Sequence, residues 1–542
     1  MSPKTLEIPE ATSRKSDLVI VYHRQPYEEV EADDGTIRLR ENSSPNGIVP
    51  TLRSFFGEVE HGAWIAWKQA EDAANPGFDR RIEIDDDFGC YTVSRLPLTP
   101  EQVRGFYHVT SKEAFWPILH SFRERYNYDP VDWPNFQEVN RAFAEAAASE
   151  AAEGAVVWVH DYNLWLVPGY LRKLRPDVKI SFFHHTPFPS ADLFNVLPWR
   201  REIVESLLAC DIVGFHIPRY ASNFVQVAHS LFDVSRTGRV TVDEALINEG
   251  TALTERSMVT GLIHDGHEVT IAATPVGVDV AYIDTCAHSI ETRNQMAAIR
   301  DELGEAQLVL SVGRTDYTKG GVQQLESYER LLESRPDLRG KVRLMHVSVS
   351  ANRNMEAYAE IQSEIEQVAG RINGRFGRFD WQPVVLISRA VPFDELIAYY
   401  RAADVAWITP IADGMNLVCK EFVASRVEGD GVLVLSEFAG AAVELDAAIP
   451  TNPFSHRNMD MAIAQALEMN IEERTTRMSR LRAKIDACDI RFWGDAQRRL
   501  FEGAANGDNG TPKCTLAHRR KGDIGAGARD GARPELAVVD GR

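Results

Sequence analysis

The sequence predicts an α/β protein built from two doubly wound domains. Apolar runs of strand length alternate with helical patterns in both halves of the chain, which is typical of parallel sheets covered by helices. Polar and charged residues directly follow several of these runs, at the strand ends where open α/β sheets bind ligands. With 542 residues, the chain is also too long for one typical domain. We therefore expect two sizeable domains that bind small molecules.

The composition argues against several classes of function. A formal net charge of −20 is the opposite of the basic surface that nucleic acids require. No apolar run approaches the ~18 residues that span a bilayer, and the polar start lacks the apolar core of a signal peptide. The six cysteines show no CxxC spacing, which predicts reduced thiols and no zinc site. We expect a cytoplasmic enzyme with no specific nucleic-acid partner and no membrane partner.

The first predicted strand, residues 18–22, follows a polar stretch over residues 1–16 that predicts a flexible leader. Arg24 comes directly after this strand and is a candidate anion ligand, with a solvated surface arginine as the alternative. Further on, Gly47 belongs to a tight turn before a predicted helix. Because glycine has no side chain, its backbone amide can closely approach a ligand, but a simple turn is an equally good interpretation.

Two aromatic residues of the next predicted helix are candidate ligands. Thr99 and Pro100 predict its start, and it carries Tyr107 and Trp116. Aromatic residues at this density usually form the core, so a ligand role is the less common alternative. The residues alone leave both interpretations open.

Two later strands end in polar residues. Residues 156–159 precede Asp161, whose carboxylate can bind sugar hydroxyls or cap the following helix. Residues 178–183 precede the pair His184 and His185. Because no third ligand stands at a suitable spacing, a histidine that hydrogen-bonds at a cleft is favoured over a metal ligand.

The second half repeats the alternation after a connecting stretch, residues 275–300, that predicts a hinge. Two helices are predicted within residues 458–489, and the glycine-rich end from 503 to 542 predicts a disordered tail. The strands of this half are predicted at residues 308–312, 342–349, 384–388, 405–409 and 432–435.

The first strand of this half leads into the stretch SVGRTDYTKGG. Arg314 and Lys319 lie between the strand and a helix that begins after two glycines. Two cations and a helix N-terminus can together bind one anion, such as a phosphate or diphosphate. Solvated loop charges are the alternative, because the stretch is neither a Walker loop nor a GxGxxG motif.

A second strand-to-helix turn reads PIADGMNLVCKEFVA. Asp413 and Gly414 form the turn, and Glu421 lies on the helix that begins near Asn416. A basic turn and an acidic turn can bracket a nucleotide sugar, since cations bind its diphosphate and carboxylates bind its hydroxyls. Arg353, in the turn after the second strand of this half, is a further candidate anion ligand, with a salt bridge as the alternative.

Taken together, these motifs resemble the retaining glucosyltransferases of the trehalose-6-phosphate synthase family. The resemblance covers residues 18–501 in collinear order and rests on WVHDYNL, FFHHTPFPS, GRTDYTKG, GRINGRFG, TPIADGMNLVCKEFVA and VLSEFAGAAVEL. It implies a GT-B fold, in which two Rossmann-like domains flank an interdomain cleft. The implied divisions are a leader, 1–16; an acceptor domain, 17–295; a nucleotide-sugar domain, 296–480; a helix that crosses back to the first domain, 481–502; and a tail, 503–542.

The resemblance also implies roles for the matching residues. His185 would contact the transferred glucose, and Asp161 would contact the acceptor. The implied acceptor-phosphate pocket contains Arg24, Tyr107, Trp116 and Arg353. The residues implied to bind the donor are Arg314 and Lys319 for the diphosphate, Glu421 for the ribose, Asp413, Gly414, Met415 and Asn416 for the glucose, and the backbone amides of Leu417, Val418 and Gly47 for the phosphates.

The family implies the chemistry as well. Breaking the anomeric bond places charge on the departing nucleoside diphosphate, which the two cations would stabilise. The sequence shows no partnered carboxylate nucleophile of the kind that retaining glycosidases use. Front-face attack by the acceptor hydroxyl, with the leaving phosphate accepting its proton, is implied instead. No cofactor and no metal ligand are expected, and a divalent cation would at most stimulate the reaction. A homo-oligomer is one of the oligomeric states that the sequence allows.

Several stretches resemble one branch of the family, the glucosylglycerol-phosphate synthases: VYHRQPYEEV, SPNGIVPTL, AWKQ and FNVLPWRREI. This branch implies transfer of glucose from ADP-glucose to glycerol 3-phosphate, for synthesis of the osmolyte glucosylglycerol under salt stress. Glu395 stands where trehalose-6-phosphate synthases carry a basic residue, and it is compatible with ADP-glucose. The alternatives are a trehalose-6-phosphate synthase, which uses glucose 6-phosphate, and a catalytically silent sugar-phosphate sensor.

Overall fold

The computed structural model describes residues 14–31, 37–41, 48–349, 356–503 and 536–537. Two predicted site residues, Gly47 and Arg353, lie outside these ranges. The predicted leader lies outside them except for its last three residues. The predicted tail does so except for Gly503 and residues 536–537.

The structure contains the strands that the apolar runs predict and, besides them, strands at residues 27–31, 37–41 and 81–86 that no apolar run predicts. Those of the first half are β1 (Ser16–Val21), β2 (Tyr27–Glu31), β3 (Ile37–Glu41), β4 (Gly62–Gln69), β5 (Arg81–Asp86), β6 (Gly89–Leu98), β7 (Ala151–His160), β8 (Lys179–His184), β9 (Ile212–Phe215), β10 (Ser235–Thr241), β11 (Ser257–His264) and β12 (His267–Ala273). Those of the second half are β13 (Gln307–Arg314), β14 (Val342–Val349), β15 (Val384–Ile387), β16 (Val405–Ile408), β17 (Val432–Ser436), β18 (Ile449–Thr451) and β19 (Leu536–Ala537).

Among the described residues, the strands form two large sheets and one small one. The first sheet has the order β10-β11-β12-β9-β8-β7-β1-β4-β6-β5, and its strands from β12 to β6 are parallel. The second sheet, β15-β14-β13-β16-β17-β18, is parallel throughout. Strands β2, β3 and β19 form a small antiparallel sheet. In both large sheets the strand order reverses once, as a doubly wound fold requires.

Helices cover the sheets and connect their parallel strands. The helices of the first half are α1 (Ile48–Ser54), α2 (Pro100–Val103), α3 (Trp116–Leu119), α4 (Trp133–Glu150), α5 (Val167–Leu174), α6 (Ala191–Phe194), α7 (Arg200–Leu208) and α8 (Pro218–Leu231). Those of the second half are α9 (Val280–His288), α10 (Ile290–Leu303), α11 (Gly321–Ser334), α12 (Glu356–Phe376), α13 (Phe393–Ala402), α14 (Leu417–Ser425), α15 (His456–Glu468), α16 (Ile471–Ala487) and α17 (Ile490–Phe501).

Burial explains why the parallel strands are almost continuously apolar. Val19, Ile20 and Val21 of β1 have no exposed surface, because the sheet is covered on both faces. Strand β10 lies at the sheet edge, and its charged and small residues stay largely exposed. The hydrophobic core therefore lies around the central parallel strands. Packing in this core fixes the positions of their carboxyl ends.

Helix α17 packs against the first sheet rather than the second. Its Trp493 is fully buried and stacks on Trp158 of β7, with 5.3 Å between ring centroids. Phe183 of β8 meets Trp493 edge-on at 5.3 Å, and Lys179 donates a hydrogen bond of 2.6 Å to the Phe501 carbonyl oxygen. The end of α17 therefore connects the second half of the chain to the first sheet.

One sequence prediction is wrong in the described part of the chain. Cys488, directly after α16, is disulfide-bonded, so the prediction that all cysteines are reduced does not hold there. Cys90, Cys210, Cys286 and Cys419 are free thiols. None of the helices in the described ranges combines the length and the hydropathy that a membrane span needs.

Candidate active site

The candidate site lies where the carboxyl ends of the two large sheets meet, at the point in each sheet where the strand order reverses. In the first sheet, the neighbours β1 and β7 lead into Arg24 and Asp161. In the second sheet, the neighbours β13 and β16 lead into Arg314 and Asp413. Connections leave such a strand pair in opposite directions and so open a crevice beyond the strand ends. We call the region around these four residues the interdomain site.

Direct contacts cross the interdomain site. The Trp116 indole N–H, from the first half of the chain, donates to Asp316 Oδ1 at 3.4 Å in the second half. A Cβ atom on Gly414 would lie 2.3 Å from the carbonyl oxygen of His185. Since that distance is shorter than any van der Waals contact, only glycine permits this approach of the two loops.

The loop after β13 positions two cations beside one helix start. Arg314 ends β13, and Lys319 ends a short 3₁₀ turn before α11. Gly320 has a φ of 69°, and a Cβ atom there would lie 2.2 Å from the Thr409 carbonyl oxygen, so the turn requires glycine. Arg314, Lys319 and Asn416 line a cavity that is partly open to solvent. Such a pair of cations at a helix start suits an anion.

Lys319 of this cavity forms an ion pair with Asp413. The Lys319 ammonium donates to Asp413 Oδ2 at 2.8 Å, and Asn416 Nδ2 donates to the same oxygen at 3.0 Å. Burial opposes ionisation of Asp413, but the Lys319 charge outweighs it and lowers the pKa of the carboxyl. Tyr220, from the first half of the chain, donates to the Asp413 carbonyl oxygen at 3.0 Å and holds the turn. The carboxylate is therefore charged and fixed.

Helix α14 directs its N-terminus at the same cavity. Asn416 has a φ of 77°, and its Oδ1 caps the helix by accepting from Cys419 N at 3.0 Å. Leu417 and Val418 are the first helical residues, so their N–H groups have no acceptor within the helix. Met415 is buried beneath the turn. The positive end of the helix dipole adds to the anion-binding character of the cavity.

Glu421 lies one turn further along α14. It is 3% exposed, and Tyr400 donates to its Oε2 at 3.0 Å. Burial raises the pKa of the carboxyl to about 7. A carboxyl in this state changes charge near neutral pH and can accept hydrogen bonds from a ligand's hydroxyls.

Asp161 and His185 lie on the opposite side, at the ends of β7 and β8. Asp161 has a φ of 70°, and its Oδ1 accepts from His185 N at 3.2 Å. Burial raises the pKa of the Asp161 carboxyl to about 6. His185 Nε2 lies 3.1 Å from His160 Nδ1, and burial lowers the pKa of the His185 ring to about 3, so the imidazole is neutral. A neutral ring can donate one hydrogen bond and accept another.

Arg24 and Tyr107 form the remaining wall of the first half. Arg24 Nε lies 3.4 Å from His23 Nε2, and Arg24 also donates to the Tyr107 hydroxyl. The Tyr107 ring stacks on His23, with 5.6 Å between ring centroids. Burial opposes ionisation of Tyr107, but Lys112, Arg24 and Arg314 outweigh it and lower the pKa of the phenol to about 8. This wall is therefore strongly electropositive.

Sequence reasoning missed two charged residues of the interdomain site. Lys112 lies over the Trp116 ring, with its Nζ 4.0 Å from the ring centroid, and burial lowers the pKa of its ammonium. Asp316 accepts from Trp116 and lies 3.8 Å from Arg314. Lys112 precedes Trp116 by four residues. Residues at this spacing lie on the same face of a helix, so the sequence did offer a signal that Lys112 lies beside Trp116. Asp316 stands inside the stretch that supplied Arg314 and Lys319.

A group of metal-ligating side chains lies elsewhere. Among the described residues, His61, Glu83 and Cys90 place candidate ligand atoms within 4.8 Å of one another. They cluster at the amino-terminal ends of β4 and β6, whereas the interdomain site lies beyond carboxyl ends. Glu83 already accepts from Thr92 at 2.8 Å and lies 3.6 Å from Arg81. The expectation that the interdomain site needs no metal stays a prediction.

The chain is similar to curated enzymes over nearly its whole length. A glucosylglycerol-phosphate synthase of a Synechocystis strain is 51% identical over 480 residues, which cover 89% of this chain and 96% of the relative. One from a Picosynechococcus strain is 49% identical and covers 91% and 98%. A trehalose-6-phosphate synthase of Mycolicibacterium gilvum is 40% identical and covers 89% and 92%.

Solved structures confirm the fold. An α,α-trehalose-phosphate synthase (UDP-forming) from Burkholderia vietnamiensis aligns with a TM-score of 0.76 at 31% identity, over 90% of this chain and all of that one. The E. coli protein bound with UDP-2-fluoro glucose aligns with a TM-score of 0.78 at 26% identity, over 90% of this chain and 98% of that one. The predicted α/β, GT-B architecture is thereby confirmed.

The sequence pattern of glycosyltransferase family 20 matches residues 16–502. This span contains both large sheets, the interdomain site and α17. The chain therefore belongs to glycosyltransferase family 20, the family of the trehalose-6-phosphate synthases, and is a glycosyltransferase.

Proposed function

We propose that this glycosyltransferase transfers glucose, with retention, from ADP-glucose to glycerol 3-phosphate, as a glucosylglycerol-phosphate synthase. The observation that carries the proposal is the pairing of two cationic walls across the interdomain site, with Asp161 and His185 between them. One wall holds Arg314 and Lys319, and the other holds Arg24. Two phosphorylated ligands fit such walls. Identity of 49–51% to relatives named glucosylglycerol-phosphate synthase supports the choice of substrates.

The residues on the donor side of the interdomain site can bind a nucleotide sugar. Lys319 and Asp413 neutralise each other at 2.8 Å. A sugar diphosphate offers both of them a better partner, because the diphosphate can bind Lys319 while the glucose hydroxyls donate to Asp413. The amides of Leu417 and Val418 face the diphosphate, and Glu421 accepts from the ribose hydroxyls. Met415 and the close-packed Gly414 hold this turn against His185.

The reaction then follows from where charge develops. The anomeric C–O bond to the diphosphate breaks, and the acceptor hydroxyl oxygen bonds to the anomeric carbon on the same face. The proton of that hydroxyl passes to the leaving diphosphate oxygen. Arg314 and Lys319 stabilise the charge that grows on the leaving group, which is the type of effect that contributes most to many enzymatic rates. The neutral His185 ring can donate to a glucose hydroxyl without adding charge.

The acceptor side takes the phosphorylated alcohol. Arg24, Tyr107 and Trp116 hold its phosphate in this proposal, and Asp161 orients the attacking hydroxyl. Because the two second-half cations supply the charge compensation, no cofactor is required and a divalent cation would only stimulate. The cytoplasmic location and a homo-oligomeric state stay predictions.

Trehalose-6-phosphate synthase is the second candidate. Solved structures of this family include one from Burkholderia xenovorans in complex with glucose-6-phosphate, at 29% identity. Glu395 is the residue from which we infer the nucleotide base of the donor. It pairs with Arg389 and accepts from the Tyr399 hydroxyl, so Arg389 neutralises its carboxylate. The pairing is compatible with ADP-glucose and removes any direct repulsion of a nucleotide.

A crossed assay tests the proposal. Purified protein is given ADP-glucose or UDP-glucose together with glycerol 3-phosphate or glucose 6-phosphate, and nucleoside diphosphate release is followed. We expect turnover with ADP-glucose and glycerol 3-phosphate, and turnover lower by about 10²- to 10³-fold from the Arg314→Ala variant. Turnover with glucose 6-phosphate alone would make the second candidate correct. A protein that binds these ligands without turnover would instead be a sensor.

A further inference from the structure

Lys112 is a buried cation of the interdomain site to which the proposed function gives no role. It is 9% exposed, and its Nζ lies 4.0, 5.6 and 5.9 Å from the ring centroids of Trp116, Tyr107 and Tyr162. In the described part of the chain, no carboxylate forms an ion pair with it. Three aromatic faces offset part of the cost of burying an ammonium, but they do not replace an anion.

The backbone conformation sets Lys112 into this position. Arg104–Phe115 form a π-helix between α2 and α3, and the Thr110 hydroxyl accordingly donates to Gly105 O, five residues earlier, at 2.8 Å. In an α-helix, residues five apart would lie about 140° apart around the axis. In a π-helix they lie about one turn apart, so Tyr107 and Lys112 face the same pocket. π-helical turns occur frequently at functional sites.

The local charges leave a positive excess. Arg24, Lys112 and Arg314 converge on the pocket, and the Arg314 guanidinium lies 5.4 Å from the Trp116 ring centroid that Lys112 also covers. Two carboxylates oppose these three cations. Asp316 is held by Arg314 and by the Trp116 indole N–H, and Asp161 accepts from the His185 amide instead of from a cation. This excess of positive charge in a buried pocket favours the binding of a phosphate anion.

We propose that Lys112 binds the phosphate of the acceptor and selects phosphorylated acceptors. The inference rests on the proposed function, because it assigns a further binding residue to the same site. The acceptor phosphate is favoured over the donor diphosphate for a geometric reason. Lys112 and its aromatic partners belong to the wall of Arg24 and Tyr107, whereas Lys319 and α14 form the donor wall.

Two variants separate charge from packing. Lys112→Met keeps an unbranched chain over Trp116 without the charge, and Lys112→Arg keeps the charge. Lys112→Gln serves as a second neutral variant if the methionine variant does not fold. Lys173→Met removes an exposed lysine of α5 and is the matched control.

The readouts are KM and kcat for both substrates, together with equilibrium dialysis of radiolabelled glycerol 3-phosphate and of inorganic phosphate. For Lys112→Met we expect weaker binding of both anions and a higher acceptor KM, on the order of 10- to 100-fold, the range of one charge-assisted hydrogen bond. The donor KM should stay unchanged, and Lys112→Arg should restore most of the affinity. Circular dichroism melts verify that each variant is folded.

Two results would overturn the inference. One is a folded Lys112→Met protein that binds inorganic phosphate and glycerol 3-phosphate as the wild type does. The other is a rise in the donor KM alone, which would place Lys112 on the diphosphate. A failure of the proposed function gives a different result. The wild type would then not glucosylate glycerol 3-phosphate, while phosphate binding would still depend on Lys112.

Discussion

The Glu421→Gln substitution gives a prediction whose size and pH dependence both follow from the structure. Tyr400 occupies one acceptor position of Glu421 Oε2 at 3.0 Å, which leaves positions for one or two ribose hydroxyls. Each such bond is weaker by about 1 kcal/mol when the acceptor is neutral, because charge assistance roughly doubles its strength. The variant should therefore bind ADP-glucose about 5- to 30-fold more weakly.

The pH dependence has a definite sign. Because burial raises the pKa of Glu421 to about 7, the carboxyl is protonated in acid and ionised in base. Affinity of the wild type for ADP-glucose should rise as the pH passes through about 7 and level off above it. The Glu421→Gln profile should be flat, since the amide does not titrate.

Isothermal titration calorimetry of ADP-glucose between pH 5.5 and 8.5, without acceptor, measures this directly, since about three pH units bracket the titration. Omitting the acceptor removes titration of the acceptor phosphate from the profile. Glu205→Gln, at an exposed position of α7, is the matched control. Equal affinities of Glu421→Gln and wild type at pH 8, or a flat wild-type profile, would refute the assignment of Glu421 to the ribose.

Three further predictions concern catalysis, domain contact and stability. Arg314→Ala should lower kcat by about 10²- to 10³-fold, measured as nucleoside diphosphate release, because a preorganised charge on the leaving group is lost. Gly414→Ala should lower activity severely with little change in the thermal melt, since its Cβ would lie 2.3 Å from the His185 carbonyl oxygen. Trp493→Ala should destabilise the protein by about 3–5 kcal/mol, seen as an earlier midpoint in denaturant, because it empties a fully buried site.

Each of these predictions has its own contradicting outcome. Near-normal kcat in Arg314→Ala would show that the arginine does not stabilise the leaving group. Full activity of Gly414→Ala would mean that the two loops separate during turnover. An unchanged denaturation midpoint for Trp493→Ala would show that α17 contributes little to the first sheet.

The central parallel strands could be predicted because burial on both faces requires a nearly continuous apolar run. The runs at residues 308–312 and 405–409 became β13 and β16, and the charged residues behind them became one wall of the site. Strand-end position was thus enough to nominate Arg314 and Asp413, since both follow strands at the reversal point of the sheet.

The contacts between distant segments could not be predicted in this way. Lys319 and Asp413 are 94 residues apart, and nothing in either segment alone indicates that they form an ion pair. Lys112 was missed for a local reason, because an α-helical period assigns it to a different face from Tyr107 and only the π-helix unites them. The disulfide at Cys488 has no spacing signal either.

The measurement that tests the proposed function most directly is a competition for one donor. The protein is incubated with ADP-glucose and equal concentrations of glycerol 3-phosphate and glucose 6-phosphate, and the products are identified by mass spectrometry and proton NMR. The proposed function predicts glucosylglycerol phosphate with an α-anomeric linkage as the dominant product. Dominant trehalose 6-phosphate, or a β-linked product, would contradict it.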